Sequence, residues 1–395
     1  MAAETSQVTR RTIGYCTNVH AGATLDETRG NLRRYAVAVR ESLQLDRPLG
    51  IGLWLSAAAV REIVSADGAT AFGDWLHAAG LDVFTINGFP YGDFHKRVVK
   101  HEVYRPDWST PQRLAYTLDL ARILAAIRPG GEAGISTLPL GWGPWLTDDG
   151  VTAAAANLRK AALTLADIER ATGVLVHLDL EPEPGCRLQR AADVVSLFER
   201  HLLTGTDDDV IRRHLRVCHD ICHAAVMFED QAAMLAAYDS VGVQVGKVQV
   251  SSAVRASFDD ADPDPTALRD ALGRFREDRY LHQTMVRTGK TTEPIFYEDL
   301  PDALASATAA GEWRVHFHVP IFLERLGPLR TTTHEIDRWL LLVKDRPEFR
   351  HFEIETYAWE VMPAEHKRTL ADDIATELRW LDGRLGTGTA SELRS

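Results

Sequence analysis

Cysteine is scarce in this chain of 395 residues: there are four, too few for a disulfide framework at this length. Cys218 and Cys222 flank the pair His219–Asp220 and read either as small buried apolar groups or as soft metal ligands. Cys16 and Cys186 have no matching partner spacing. Long apolar runs are missing too. No stretch of roughly 18 uncharged apolar residues occurs, which argues against a membrane span. The segment Met1–Arg11 is polar and lacks the apolar core of a signal peptide, so a cytoplasmic location is expected. Basic residues are in deficit, 44 Lys and Arg against 56 Asp and Glu, for a net charge of −12. A general nucleic-acid surface depends on clustered Lys and Arg, so no nucleic-acid partner is expected, although a local basic groove is not ruled out. The glycine-rich nucleotide fingerprints and the Gly-x-Ser-x-Gly elbow are lacking, which weighs against NAD, ATP and serine-hydrolase chemistry. There is no internal repeat, low-complexity tract or Pro/Ser-rich linker.

What the chain does have is a regular alternation of strand-like and helix-like segments. Strand candidates are Thr12–Val19, Leu49–Leu55, Leu81–Asn87, Gly134–Pro139, Val174–Leu180, Leu215–His219, Gly246–Ser251, Glu312–Val319 and Phe349–Thr356. Helix starts are marked between them, by Thr24 with Glu27 three residues on and by Thr110–Pro111. Repeated β-α units of this kind predict an α/β fold, a closed (β/α)8 barrel. Nine candidates for eight places imply an insertion, expected at about 257–321 after strand seven. A single domain is expected over 12–384, with flexible ends at 1–11 and 385–395.

Three strands end in metal-binding residue types: Val176–Pro182, Leu215–His223 and His351–Thr356. Side chains alternate along a strand, so His177, Asp179 and Glu181 share one face. A polar stripe on a core strand is costly unless it is paired or binds something. In a barrel the C-terminal strand ends converge on one mouth. Asn87, Glu181, Asp220, His223, Gln249, His316, His318 and Glu355 would gather there. Carboxylate plus imidazole suits a divalent ion, whether Mn²⁺, Zn²⁺, Fe²⁺, Co²⁺ or Mg²⁺. Two carboxylates across the ring could also move protons on either face of a substrate. Each residue has a plainer role open to it: Glu181 to Pro184 as an exposed acidic turn, His316 and His318 on an edge strand, Glu353 and Glu355 paired with Arg350 or Arg368.

The segment Asn87–His95, with Tyr91 and His95, offers glycines and flat aromatic walls suited to a sugar-like ring, or else a packed aromatic loop. The same alternatives hold for Tyr104, Trp108, Trp142 and Trp145. Asn18 and His20 follow the first strand and could also reach the mouth. Arg255 could hold an anionic or hydroxylated substrate, or pair with Asp259 or Asp260.

The segments Tyr15–Gly22, Phe84–Gly92, Tyr104–Trp108, Ser136–Gly141, Leu180–Pro184, His219-Asp220-x-x-His223 and Glu355–Tyr357 resemble the metabolite traffic protein EboE family, over roughly residues 12 to 380. That family is similar to xylose isomerase-like TIM barrels, among them sugar isomerases, epimerases and inosose dehydratases. The resemblance implies metal-binding positions at Glu181, Asp220 and Glu355, and substrate contacts at His223 and Arg255. It also implies a role in a secondary-metabolite pathway. One departure is visible: the ligand of the seventh strand is usually His, and here the aligned residue is Gln249. Gln249 coordinates weakly, or His318 takes its place, or no metal binds. The superfamily also holds apurinic endonucleases, to whose two-histidine motif His316-x-His318 could correspond.

The function expected from these features is a metal-dependent isomerase or epimerase of a polyhydroxylated small molecule: a sugar, sugar phosphate or cyclitol. Glu181 and Glu355 would be catalytic. Asn87, Tyr91, His95, Trp142, His223 and Arg255 would bind substrate. The metal would be held by Glu181, Asp220, Gln249, His318 and Glu355. The alternatives are a metal-dependent phosphoester hydrolase and a non-catalytic metabolite-binding barrel.

Overall fold

The computed structural model describes residues 11–64, 68–95, 98–259, 264–289, 292–357, 359 and 368–386. Eight parallel strands close into a barrel. They are β1 (Thr12–Cys16), β2 (Leu49–Trp54), β3 (Leu81–Asn87), β4 (Gly131–Thr137), β5 (Val174–Leu180), β6 (Leu215–Asp220), β7 (Val245–Val250) and, after a long excursion, β14 (His351–Ile354). β14 pairs with both β7 and β1, and this closes the ring. The closed barrel and its helices are those expected from the alternating pattern. The helix starts form as read: Glu27 N donates to Thr24 Oγ1 and Thr24 N to Glu27 Oε2, while Arg113 N donates to Thr110 Oγ1 ahead of helix Pro111–Ile127.

The excursion is a second sheet, antiparallel and six-stranded. Its members are β8 (Ser252–Ser257), β9 (Thr284–Arg287), β10 (Ile295–Tyr297), β11 (Glu312–Val319), β12 (Arg325–Leu326) and β13 (Leu329–Thr331), in the order β10-β9-β11-β8-β13-β12. It begins one residue after β7 and runs to Thr331, a wider span than 257–321. Its apolar face has its own core, in which Val254, Phe258, Leu268, Trp313, Val315 and Phe317 pack together. The terminal segments 1–10 and 387–395 lie outside the described residues.

The barrel interior is unusually polar. Near the base, Glu132 pairs with Arg216 at 2.5 Å and with Arg350 at 3.1 Å, and His177 Nδ1 shares a 2.7 Å hydrogen bond with Asp179 Oδ1. Higher up, buried Lys247 Nζ donates to Glu353 Oε2 and to Ser136 Oγ. Glycine makes room for these groups. A Cβ on Gly52 would land on the Glu353 carboxylate, and one on Gly246 would land on Asp179.

Candidate metal centre and substrate cavity

Glu181 directly follows β5, Asp220 ends β6 and Glu355 directly follows β14. The barrel therefore brings them to one mouth. Each offers an oxygen within 4.8 Å of the others, and all three are buried. Asp220 has a structural duty as well. Its Oδ1 accepts from His223 N at 2.9 Å, which caps helix Ile221–Val226, and from Ser251 Oγ at 2.7 Å. Among the described residues its Oδ2 has no hydrogen-bond partner, and neither has Glu181 Oε2. Glu355 Oε1 accepts from Asn18 Nδ2 at 2.5 Å and Asn87 Nδ2 at 3.2 Å.

The two glutamates are held in opposite states. Burial, with Glu355, Asp220 and Glu183 nearby, pushes Glu181 well above the carboxylate range despite Lys247. Burial would raise Glu355 as well, but contact with His318 and the charge of Lys247 hold it below that range. Among the described residues no Lys or Arg forms an ion pair with Glu181, Asp220 or Glu355; the only basic groups in contact are imidazoles. Buried carboxylates with no Lys or Arg ion pair among the described residues, and with orphaned oxygens, are a donor set that fits a divalent cation.

Gln249 pairs in register with Asp220 and Glu353, and its buried amide makes no hydrogen bond within the described residues. His318 comes from β11, outside the barrel. Along β11 the apolar Trp313, Val315, Phe317 and Val319 alternate with Arg314, His316 and His318. The period of two turns both imidazoles towards the barrel mouth. His318 Nδ1 lies 3.1 Å from Glu355 O and 3.3 Å from Glu355 Oε2. Burial would lower His318, but Cys222, Tyr357 and Asp220 raise it well above the usual imidazole range.

Above these groups opens a cavity lined by Asn18, Asn87, Phe89, Tyr104, His223 and Tyr280 among others. Of the expected substrate contacts, Asn87 and His223 line it. Four others lie elsewhere. Trp142 stands behind Tyr104, with ring centroids 5.0 Å apart. Tyr91 packs edge-on against Tyr116. His95 Nε2 meets Asn18 O at 2.7 Å and steadies the Asn18 loop from outside. Arg255 is on β8, in the inserted sheet, where it pairs with Glu312 at 2.7 Å. The chain leaves the barrel immediately after β7, and this carries Arg255 away from the mouth.

Other expectations were also redirected. Glu181 to Pro184 is buried, not an exposed acidic turn. Glu353 pairs with Lys247, and Arg350 and Arg368 find Glu132 and Asp373 instead. His219 points away from the mouth, stacked on Trp339 with Nε2 3.0 Å from Gln231 Oε1. All four cysteines are buried free thiols. Sequence reading missed Glu183, Lys100 and Gln283. Glu183 Oε1 accepts from Tyr104 Oη at 2.7 Å and Gln283 Nε2 at 3.0 Å. Lys100 reaches the cavity and pairs with Asp299. Lys247 was detectable in principle, as a lone charge inside the apolar strand Val245–Val250; Gln283 carries no sequence signal.

The sequence matches no family model and no curated protein. Solved structures do match. A xylose isomerase-like TIM barrel protein from Mycobacterium smegmatis in complex with magnesium aligns over 96% of this chain and 97% of its own, with 12% identity and a TM-score of 0.51. The fold is that of the xylose isomerase-like TIM barrels. The probable 3-DHS dehydratase AsbF from Bacillus anthracis covers 94% of this chain and 98% of its own, at 11% identity and TM-score 0.47. The IOLI protein with a bound zinc atom covers 95% and 98%, at 11% identity and TM-score 0.47. Among the described residues no helix is long and apolar enough to cross a membrane.

Proposed function

We propose that the chain is a metal-dependent isomerase or epimerase acting on a sugar, sugar phosphate or cyclitol, in an EboE-type secondary-metabolite pathway. The observation that carries this reading is the convergence of Glu181, Asp220 and Glu355, buried and without a Lys or Arg partner among the described residues, beneath a cavity lined by Asn87, Tyr104 and Tyr280. A bound divalent ion would be held by these three carboxylates, with the Gln249 amide and His318 beside them, and would supply Lewis-acid polarisation of substrate oxygens.

The protein's own groups divide the proton chemistry. Glu355 is held ionised, with Oε1 fixed by Asn18 and Asn87, and is the base that removes a proton next to a carbonyl. Glu181, across the ring from Glu355, is the partner that returns one. Asn87, Tyr104 and Lys100 offer hydrogen bonds to hydroxyl or phosphate oxygens along the wall, and Phe89 and Tyr280 offer flat faces. The adjacent imidazoles His223, His316 and His318 favour a second reading, a metal-dependent phosphoester hydrolase.

Metal analysis followed by a thermal-shift screen of sugars, sugar phosphates and cyclitols tests the proposal. A stabilising compound is then incubated with enzyme in D₂O. Deuterium wash-in at a carbon next to the carbonyl, abolished by Glu181→Gln and by Glu355→Gln, is the expected result. Phosphate release without wash-in selects the hydrolase. A metal-free protein whose activity is unchanged in both variants overturns both readings.

A further inference from the structure

Two side-chain amides hold Glu355, and they differ in what they have left to offer. Asn87 is fully engaged. Its Oδ1 accepts from Phe89 N at 3.1 Å, and its Nδ2 donates to Glu355 Oε1 at 3.2 Å and to Cys16 Sγ at 3.3 Å. Asn18 is engaged at one end only. Its Nδ2 donates to Glu355 Oε1 at 2.5 Å, and because a carboxylate oxygen only accepts, this contact fixes which end of the amide is which. The other end, Oδ1, is buried and has no hydrogen-bond partner among the described residues. Asn18 lines the cavity. The turn that carries it leaves the amide little freedom. Thr17–Val19 is a single turn of 3-10 helix directly after β1. Thr17 Oγ1 accepts from Trp54 N at 2.8 Å, Asn18 O accepts from His95 Nε2 at 2.7 Å, and His20 lies flat on Tyr35 with ring centroids 4.5 Å apart.

A buried acceptor is destabilising until a donor reaches it. An amide pinned at its backbone and at its nitrogen presents its oxygen in one direction, which is how a binding group is pre-organised. We propose that Asn18 is a specificity-determining residue of this site: Oδ1 accepts a hydrogen bond from a substrate hydroxyl close to the reacting carbonyl, while Nδ2 holds Glu355. The inference rests on the isomerase reading, in which Glu355 is the base. The two ends of one amide are only about 2.2 Å apart by standard bond dimensions. The hydroxyl on Oδ1 therefore belongs to the carbon whose proton Glu355 removes, or to its neighbour. A substrate lacking that hydroxyl leaves the acceptor buried and unpaired, and sites built in this way reject the deoxygenated analogue strongly. Asn87, with its oxygen already taken by Phe89 N, has no acceptor to put in the place of Asn18 Oδ1.

The test uses the full chain loaded with Mn²⁺ and two hydroxamates, planar mimics of an enediolate. Glycolohydroxamate carries a hydroxyl on the carbon next to its carbonyl, and acetohydroxamate lacks it. Both present the same two oxygens to an ion, so the ratio of their dissociation constants isolates the hydroxyl. Calorimetry on wild type is expected to show a preference for glycolohydroxamate of at least about tenfold. Asn18→Ala is expected to bring the two within about threefold of each other, with Mn²⁺ affinity kept. An unchanged ratio in Asn18→Ala overturns the proposal, even if both affinities fall, because a role confined to Glu355 would weaken both alike. Loss of Mn²⁺ binding in that variant also overturns it, since Oδ1 would then be a ligand of the ion. Should Asn18→Ala fail to fold, a crystal structure of wild type with Mn²⁺ and glycolohydroxamate is expected to place the hydroxyl about 2.7 Å from Asn18 Oδ1. A hydroxyl beyond about 3.5 Å from it overturns the contact. Binding of neither hydroxamate to Mn²⁺-loaded wild type counts against the isomerase reading itself, and the role of Asn18 falls with it.

Discussion

Below the mouth of the barrel, Glu132 lies between Arg216 and Arg350 and Asp179 against His177, and higher up Glu353 lies against Lys247. At the mouth, among the described residues, no Lys or Arg forms an ion pair with Glu181, Asp220 or Glu355, and imidazoles stand beside Asp220 and Glu355. Both regions are buried and rich in carboxylates, yet Glu132 and Glu353 have Arg or Lys partners, whereas the three acids of the mouth have none among the described residues. A polar core residue is therefore no marker of function in this barrel by itself.

The sharpest way to break the contrast is to spoil the pairing below the mouth. Lys247→Met strands the Glu353 carboxylate, and breaking a buried pair on one side costs about 3–5 kcal/mol. Chemical denaturation is expected to show a loss of that size, and Lys247→Met with Glu353→Leu is expected to recover most of it. Recovery of nothing would mean that the pair is not the unit of stability.

Acidification probes the same region. Burial works against ionised Glu132, but Arg216 and His177 hold it down to about 2. A depressed carboxyl contributes stability that is present above its unfolded value, near 4.3, and is lost as pH falls towards 2. Glu132→Gln is expected to cost on the order of 2 kcal/mol at pH 7, after discount for its partial exposure. The cost should vanish near pH 2 in a denaturation series.

Glu377 behaves in the opposite sense. It is buried, accepts from Thr356 Oγ1 and Ile321 N, and burial raises it to about 8. A raised carboxyl subtracts stability progressively as pH climbs from about 4.3 to 8, because the unfolded chain has already released the proton. Glu377→Gln is expected to change little at pH 4 and to stabilise at pH 8 by about 1–3 kcal/mol. At the mouth, Glu181→Gln is expected to leave the metal-free protein as stable as wild type or about 1 kcal/mol more so, since it removes an uncompensated acid. The same change should lower metal affinity by at least about tenfold.

The smallest effect is expected at Arg255. Its partner is Glu312 in the inserted sheet, so Arg255→Ala should cost no more than about 1 kcal/mol and leave ligand thermal shifts unchanged. A lost shift would place Arg255 at the cavity after all.

The barrel was legible because each strand carries its own period and each helix its own cap. Thr24 with Glu27, and Thr110 with Pro111, act over four residues, and local geometry suffices to read them. Glu181, Asp220 and Glu355 were legible for a related reason: a residue at the end of a parallel barrel strand has only one mouth to face. His177 and Asp179 share a face with Glu181, but the sequence could not show that they satisfy each other lower down the strand. Trp142, Tyr91, His95 and Arg255 sit in loops or in the inserted sheet, where chain direction is not set by a local period.

From sequence alone came the closed barrel, the acidic strand ends and the alternation that puts His316 and His318 on one face of their strand. Those are short-range consequences of side-chain spacing. The tertiary structure alone decided which acids have partners and that the inserted sheet brings two imidazoles to His223 and Asp220. These depend on contacts such as Gln283 with His316, between residues far apart in the chain, whose distances are set only when the barrel and the inserted sheet pack together.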